Sequence, residues 1–330
     1  MTKEIEIDIK KYGGCKIAVA LSGGRDSIAL AYALINSGAN FFAVNVEHGI
    51  RGEASVADSR FVKDFCDKNN IELLSFSVDS LKFSADSGMT VEQSARALRY
   101  DIFDSLLDDC KCDYVALAHH RDDQVETIVM RILRGTGLRG LTAMKEQNGK
   151  YIRPLLGYTR EDIDDFIKAH NLQYVDDETN GDTAYTRNYL REQLKVIRLR
   201  YPSFDEAILR LSRNADEAEN FIDKFVGELK LVDGEAFVAC ADLAEIAVAK
   251  RLILKATSSV GVFQDIEERH FPLILGLVTA QNRKRIELPH GLTAQKDGDF
   301  IKFFVNANAN AKAVEIDCNA EPTNANLNGL

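Results

Sequence analysis

Two short runs in this sequence hold residue types that can do chemistry. The first is Ser22-Gly23-Gly24-Arg25-Asp26-Ser27. Two glycines clear the Cβ atoms from a bend, so a ligand can approach the backbone closely. Free N–H groups in such a bend, at the head of a helix, favour anionic oxygen, and the Ser22 and Ser27 hydroxyls add donors. Asp26 is the exception, because a carboxylate repels phosphate. A cation, most simply magnesium, therefore belongs between them, with Asp26 as its ligand. The run lacks the Gly-Lys-Ser/Thr ending of one phosphate loop and the G-x-G-x-x-G of the dinucleotide fingerprint. The second run is Ala118-His119-His120-Arg121-Asp122-Asp123-Gln124-Val125-Glu126. Asp123 and Glu126 are three residues apart and share a helix face. Such a pair can hold an ammonium group or a metal, and one member can accept a proton. The same acids also suit a first helical turn with no ligand at all, where each complements the helix dipole by about 0.3–1 kcal/mol. A zinc site is less well supported, since no third ligand has suitable spacing.

Three further groups are candidates. In Asn45-Val46-Glu47-His48-Gly49-Ile50-Arg51, backbone near Val46 suits an adenine edge and Arg51 could reach a phosphate. Glu92, Arg96 and Arg99 share the polar side of one helix, as they would in a salt-bridged solvent face. Arg187, Arg191, Lys195 and Arg198 recur at helical spacing opposite Leu190, Leu194 and Ile197. In a chain of net charge −10 this is the clearest cationic strip, and it suits an RNA backbone. Arg283, Lys284 and Arg285 form a smaller cluster. The overall charge argues against broad nonspecific nucleic-acid binding and leaves room for a local basic face.

The elements that must position these residues follow from periodicity. Apolar runs at 17–21, 41–47, 72–78 and 114–119 read as buried strands, with helices at 26–36, 53–68, 91–109 and 122–134. A short strand at 151–153 closes the series before Pro154. This alternation implies an α/β, doubly wound, Rossmann-like parallel sheet with ligands at the carboxyl ends of its strands. Beyond Pro154 the strands stop. Helices are expected at 159–170, 187–200, 204–228, 242–258 and 265–280, then short strands at 285–288, 292–296 and 300–305. The expected organisation is a nucleotide-binding domain over 1–200, a mostly helical domain over 201–305 with a small terminal β element, and a disordered Asn/Ala-rich tail over 306–330. The 330 residues suit two domains. The six scattered cysteines include no C-x-x-C, which argues against a disulfide framework or an iron–sulfur site. No apolar run approaches a membrane span and the charged N-terminus lacks a signal-peptide core, so the expected compartment is the cytoplasm.

The first run resembles the Ser-Gly-Gly-x-Asp-Ser signature of the PP-loop ATP pyrophosphatases. In order, Ser22 to Ser27, Val46 to Arg51, Glu92-Gln93-Ser94-Ala95-Arg96 with Arg99-Tyr100, Ala118 to Glu126 with Arg134-Gly135-Thr136-Gly137, Arg153-Pro154-Leu155, and Asp177 to Arg191 are similar to the lysidine-forming tRNA ligases of that family. Two positions depart mildly: Glu47 and Ile50 stand where the family has Asp and Leu. Beyond 200 the likeness is looser, carried by Glu268-Arg269-His270-Phe271 and Leu288-Pro289-His290-Gly291-Leu292. The resemblance implies ATP and magnesium as cofactors, and free L-lysine and the isoleucine tRNA with a CAU anticodon as partners. The implied reaction is adenylation of the wobble cytidine at its C2 oxygen, followed by attack of the lysine amine. It also implies residue roles. Ser22, Gly23, Gly24, Arg25, Asp26, Ser27, Val46, His48 and Arg51 would bind ATP. Asp26, Asp123, Glu126 and Arg96 would act in catalysis, Asp122 and Arg99 would join the lysine or RNA site, and Arg187, Arg191 and Lys195 would hold RNA. A tRNA thiolase using the same adenylation, or a nucleotide-binding module without turnover, are the alternatives. The oligomeric state is open, with a homodimer among the options.

Overall fold

A computed structural model of the chain describes residues 4–50, 53–176, 186–263 and 265–305. Arg51, the 177–185 stretch and the 306–330 tail lie outside the described residues. The chain divides into two compact units, Met1–Asp216 and Glu217–Leu330.

In the first unit, strands β1 (Ile17–Ala20), β2 (Phe41–Glu47) and β3 (Leu73–Ser77) alternate with helices α1 (Arg25–Asn36) and α2 (Glu53–Asn69). Two helices, α3 (Ser80–Ser87) and α4 (Val91–Asp108), separate β3 from β4 (Tyr114–Ala116). Then come α5 (Arg121–Leu133), the short α6 (Leu138–Leu141), β5 (Gln147–Asn148), β6 (Tyr151–Ile152), α7 (Arg160–Ala169), α8 (Thr186–Arg200) and α9 (Phe204–Asp223), which runs across the division between the units. The sheet has the order β3-β2-β1-β4-β6-β5 and is parallel except for the edge strand β5. The continuous apolar runs become central strands because both sheet faces are covered. On one face Ile28, Leu30 and Leu34 of α1, Val62 of α2 and Phe166 of α7 pack with Ile17 and Val19. On the other, Phe103, Leu106 and Leu107 of α4 pack on Phe42, Val44 and Val115.

Chain order reverses between β1 and β4, so the loops after these two neighbouring strands diverge and leave a crevice at their carboxyl ends. The two chemically loaded runs are those loops. The helix α3 was not expected from periodicity. It is made locally, by Asp79 accepting from the Lys82 N–H at 2.9 Å and by Gly88 ending it at φ 72°.

The second unit is more β-rich than expected. Strands β7 (Lys230–Val232) and β8 (Glu235–Ala239) precede α10 (Ile246–Ser259) and α11 (His270–Leu275), and β9 (Arg285–Glu287), β10 (Leu292–Asp297) and β11 (Phe300–Val305) follow. All five pair antiparallel in the order β7-β8-β11-β10-β9. The β7–β8 hairpin turns on Asp233 and Gly234, both at positive φ (51° and 78°), the turn that suits the twist of a two-residue loop. The helix expected over 265–280 contracts to α11, since Asp265 takes φ 65° and cannot start a helix. Leu252, Ile253 and Ala256 of α10 cover Val238, Ile301 and Phe303 in a core of its own. Among the described residues no helix is long and apolar enough to cross a membrane.

Candidate active site

The loop after β1 forms the floor of the crevice. Gly23 sits at φ 84°, and a Cβ there would meet Val62 Cγ2 at 3.1 Å, so this position requires glycine. Gly24 caps α1 without a side chain, and the first helix bond is Ile28 N–H to Gly24 O at 3.0 Å. The N–H groups of Arg25, Asp26 and Ser27 therefore lie ahead of the helix ladder, at its positive end. Ser22 Oγ and Ser27 Oγ share a hydrogen bond at 3.2 Å, and Ser27 Oγ donates to Gly24 O at 2.8 Å. The loop is tied from outside by Val175, whose N–H donates to Gly23 O at 2.9 Å. Arg25 turns away from the cradle, donating to Asp164 of α7 at 2.7 Å. Asp26 has no such engagement. Its Oδ1 is buried without a hydrogen-bond partner, and Arg25, His120 and Arg160 stand 3.7, 3.7 and 3.9 Å from the carboxylate.

Beside it, β2 pairs with β1 as far as Ala20↔Val44 and with β3 as far as Glu47↔Ser77. The Val46 peptide thus has a strand neighbour on one side and the crevice on the other. Glu47 braces the following turn, accepting from Gly49 N–H at 2.7 Å and from Ser77 Oγ at 2.8 Å. His48 Nε2 accepts from Arg99 Nε at 3.3 Å, with Arg99 Nη2 at 2.9 Å, and burial plus that guanidinium push its pKa down to about 4. Arg99 is therefore occupied in orienting a neutral imidazole. Arg96 is exposed, stacked 4.8 Å over Tyr100, and close enough to His119 to act on it.

The loop after β4 supplies the wall. The expected carboxylate pair is present, and its members differ. Asp123 is buried; Oδ2 accepts the His120 N–H at 3.0 Å and Oδ1 accepts from Arg187 Nη2 at 2.9 Å. Burial pushes its pKa up, but His120 and Arg187 outweigh that and hold it below the ordinary carboxylate value. Glu126 is 1% exposed and saturated. Its Oε1 accepts from Arg191 Nε at 2.7 Å, and Oε2 from Arg187 Nε at 2.8 Å and Arg191 Nη2 at 3.0 Å. Asp122 accepts the Arg160 N–H at 2.9 Å, with Arg198 Nη2 3.4 Å and His120 Nδ1 3.8 Å away, so it positions α7 and α8 beside the buried histidine.

The cationic strip on α8 is thus not an open face. Arg187 and Arg191 point into the carboxylates, Arg198 donates to both oxygens of Asp205 at 2.9 and 3.0 Å, and Lys195 stays exposed, paired with Glu192 at 2.7 Å. Arginines and carboxylates 61–65 residues apart in sequence meet here, which spacing on one helix could not reveal.

Three residues that the sequence left without a role enter the site. His120 is fully buried at the head of α5, and neither ring nitrogen has a hydrogen-bond partner. It lies 3.5 Å from Asp123 and 3.7 Å from Asp26, and so joins the wall to the floor. His119 is pushed down to about 4 by burial, with the cations of Arg153, Arg187 and Arg96 contributing. Its signal was the doubled histidine at a strand end. Arg160 had none beyond following the helix cap Thr159.

A cradle of helix-head N–H groups, an unpartnered buried carboxylate oxygen in it, and an acid–arginine wall across the crevice match one known domain. The PP-loop domain model covers residues 1–197. The chain belongs to the PP-loop family. It is 31% identical over 299 residues to a tRNA(Ile)-lysidine synthase of Thermotoga maritima, covering 87% of this chain and 70% of that protein. With the tRNA(Ile)-lysidine synthase of Bacteroides thetaiotaomicron it is 34% identical over 216 residues, 65% of this chain and 51% of the other. The chain spans about half to two thirds of the length of the first such relatives. Among solved structures, the U34-tRNA thiolase NcsA from Methanococcus maripaludis shares the fold, with a TM-score of 0.50 and 22% identity over 62% of this chain and 73% of that one. The PP-loop domain implies ATP as the nucleotide.

Proposed function

We propose that this PP-loop protein joins free L-lysine to C2 of the wobble cytidine in an isoleucine tRNA with a CAU anticodon, consuming ATP and releasing AMP and pyrophosphate. The name shared by its relatives supports this, and so does one geometric observation: Asp123, the carboxylate across the crevice from the phosphate cradle, is linked to Asp26 of that cradle through His120. A ligase of this kind needs two adjacent half-sites, one for a triphosphate and one for an ammonium ion.

In the first half-reaction the cytosine C2 oxygen attacks the α-phosphorus and pyrophosphate leaves. The helix-head N–H groups of Arg25, Asp26 and Ser27 and the two serine hydroxyls hold the phosphate oxygens. Asp26 Oδ1, buried without a hydrogen bond, fits magnesium as an oxygen ligand, and that ion would offset the negative charge of the phosphates. The Val46 peptide edge suits the adenine, and neutral His48 with Arg99 braces that loop.

In the second half-reaction the lysine ε-amine attacks C2 and AMP is expelled. Lysine arrives as an ammonium ion and must lose a proton first. Asp123 is the better acceptor of the two wall acids, since Glu126 is already filled by three hydrogen bonds from Arg187 and Arg191. Those two arginines orient the wall instead of lying open for RNA. We assign tRNA contacts to the remaining exposed cations and to the second unit, a domain role that rests on the relatives' names alone.

The test is transfer of labelled lysine into an unmodified isoleucine tRNA transcript with a CAU anticodon, with an elongator methionine tRNA as control. ATP-dependent label in the isoleucine tRNA alone is expected. No label in either RNA, with ATP bound, would overturn the reading.

A further inference from the structure

Outside the strand-end site, the second unit brings a thiol and an amine together. Cys240 follows β8 and opens the short 3-10 turn Cys240–Leu243. Its N–H donates to Asp299 O at 2.8 Å, in the turn between β10 and β11. Lys296 lies near the end of β10. Its Nζ stands 2.9 Å from Cys240 Sγ and 3.0 Å from Val278 O. The amine is therefore held by a sulfur and a peptide carbonyl instead of a carboxylate. Both residues are half-buried, so the sulfur is not sealed inside the core and the lysine has little freedom to swing away.

We propose that Cys240 and Lys296 are a modification site, forming a reversible sulfur–nitrogen bond when the protein meets peroxide. Hydrogen peroxide is the oxidant. It converts the Cys240 thiol to sulfenic acid and is itself reduced to water. The Lys296 ammonium gives one proton to water, and the lone pair of the resulting amine attacks the sulfur. The S–O bond breaks, and the departing hydroxide takes the second amine proton as another water. The pair has lost two hydrogens and gained one covalent bond, which an added thiol cleaves by attack at sulfur. Capture of a sulfenic acid by a backbone nitrogen is the same reaction, and an amine already in contact with the sulfur gains the same proximity advantage.

Two buried cysteines, Cys66 and Cys112, are less suited. Burial pushes the Cys66 thiol up to about 11 and that of Cys112 upward too, which withholds the thiolate that peroxide requires. Linking Cys240 to Lys296 would tie the end of β8 to β10 across the intervening β11, closing the turn end of the sheet.

The experiment is peroxide treatment of the full chain, then trypsin digestion without reductant and mass spectrometry. The expected product is peptide 231–250 joined to peptide 286–302, with cleavage after Lys296 lost. Its mass should fall two hydrogens below the sum of the parts, and dithiothreitol should separate it. Cys240→Ser and Lys296→Arg should each abolish the linked peptide. Lys296→Arg should also leave Cys240 as a sulfenic acid that dimedone traps. Urea midpoints matching the unsubstituted chain verify that both variants fold. The proposal is overturned if wild-type Cys240 is recovered as a sulfinic acid or a dimedone adduct beside free peptide 286–296. A linked pair that retains an oxygen would overturn it too.

Discussion

At the residue scale the site is a set of charges that would be costly alone. Asp26, Asp122 and Asp123 surround a fully buried His120, and Arg187 and Arg191 close on Glu126. Two substitutions separate the proposed half-reactions. Asp26→Asn should remove both tRNA-dependent pyrophosphate release and lysine transfer. Asp123→Asn should retain pyrophosphate release and lose transfer. The paired assays check this, and equal loss of both in Asp123→Asn would show that it does not act on the amine alone. The histidines carry a pH signature. His48 and His119 have folded values of about 4, below their ordinary 6.5. As pH falls, the unfolded chain takes up their protons first. Their contribution is therefore full above 6.5 and declines toward about 4, by at most about 1.4 kcal/mol per pH unit for each ring. Urea midpoints measured from neutral pH downward should drop, and the double substitution His48→Gln with His119→Gln should flatten the slope.

At the element scale, function depends on a bend and on a helix pair. Gly23→Ala puts a Cβ against Val62 at a φ of 84°. The expected result is a loss of about 1–3 kcal/mol in stability together with weaker ATP binding, read from urea midpoints and from ATP-dependent thermal shifts. Glu126 is where α5 receives α8. Glu126→Gln leaves Asp123 as the remaining anion beside two partly buried guanidiniums, and the cost should stay below the roughly 3–5 kcal/mol of a fully broken buried pair. Chemical denaturation should register that loss. An unchanged midpoint would show that the arginines find other partners. Here the limits of sequence reading are visible. Spacing placed Arg187, Arg191, Lys195 and Arg198 on one helix face. It could not say that Arg187, Arg191 and Arg198 turn toward Asp123, Glu126 and Asp205 while Lys195 stays toward solvent, because the docking of α8 on α5 is a contact between distant segments.

At the scale of the molecule, each unit has its own core. Phe303 is fully buried in the second one. Phe303→Ala should cost about 3–5 kcal/mol there, and ATP should still bind the first unit with its original affinity. Calorimetric titration of the folded variant with ATP checks this. The sheet of the second unit was only partly legible. Strands β9 to β11 show as apolar alternation, but β7 does not, although Asp233-Gly234 marks its turn into β8, because β7 is exposed throughout and has no buried face to pattern.

The sequence alone determined the doubly wound sheet, since continuous apolar strands and amphipathic helices are local patterns set by backbone geometry. It also determined the bend at the head of α1, since Gly23 and Gly24 at the end of an apolar strand are a local signal. Only the tertiary structure decided how differently the two acids are engaged. Asp123 and Glu126 are equivalent by spacing. The arginines of α8 fill one more completely than the other, and that depends on how segments more than sixty residues apart pack. The place of His120 between Asp26 and Asp123 was decided in the same way. β1 and β4 are neighbours in the sheet though far apart in the chain, and their adjacency brings the two loops within 4 Å.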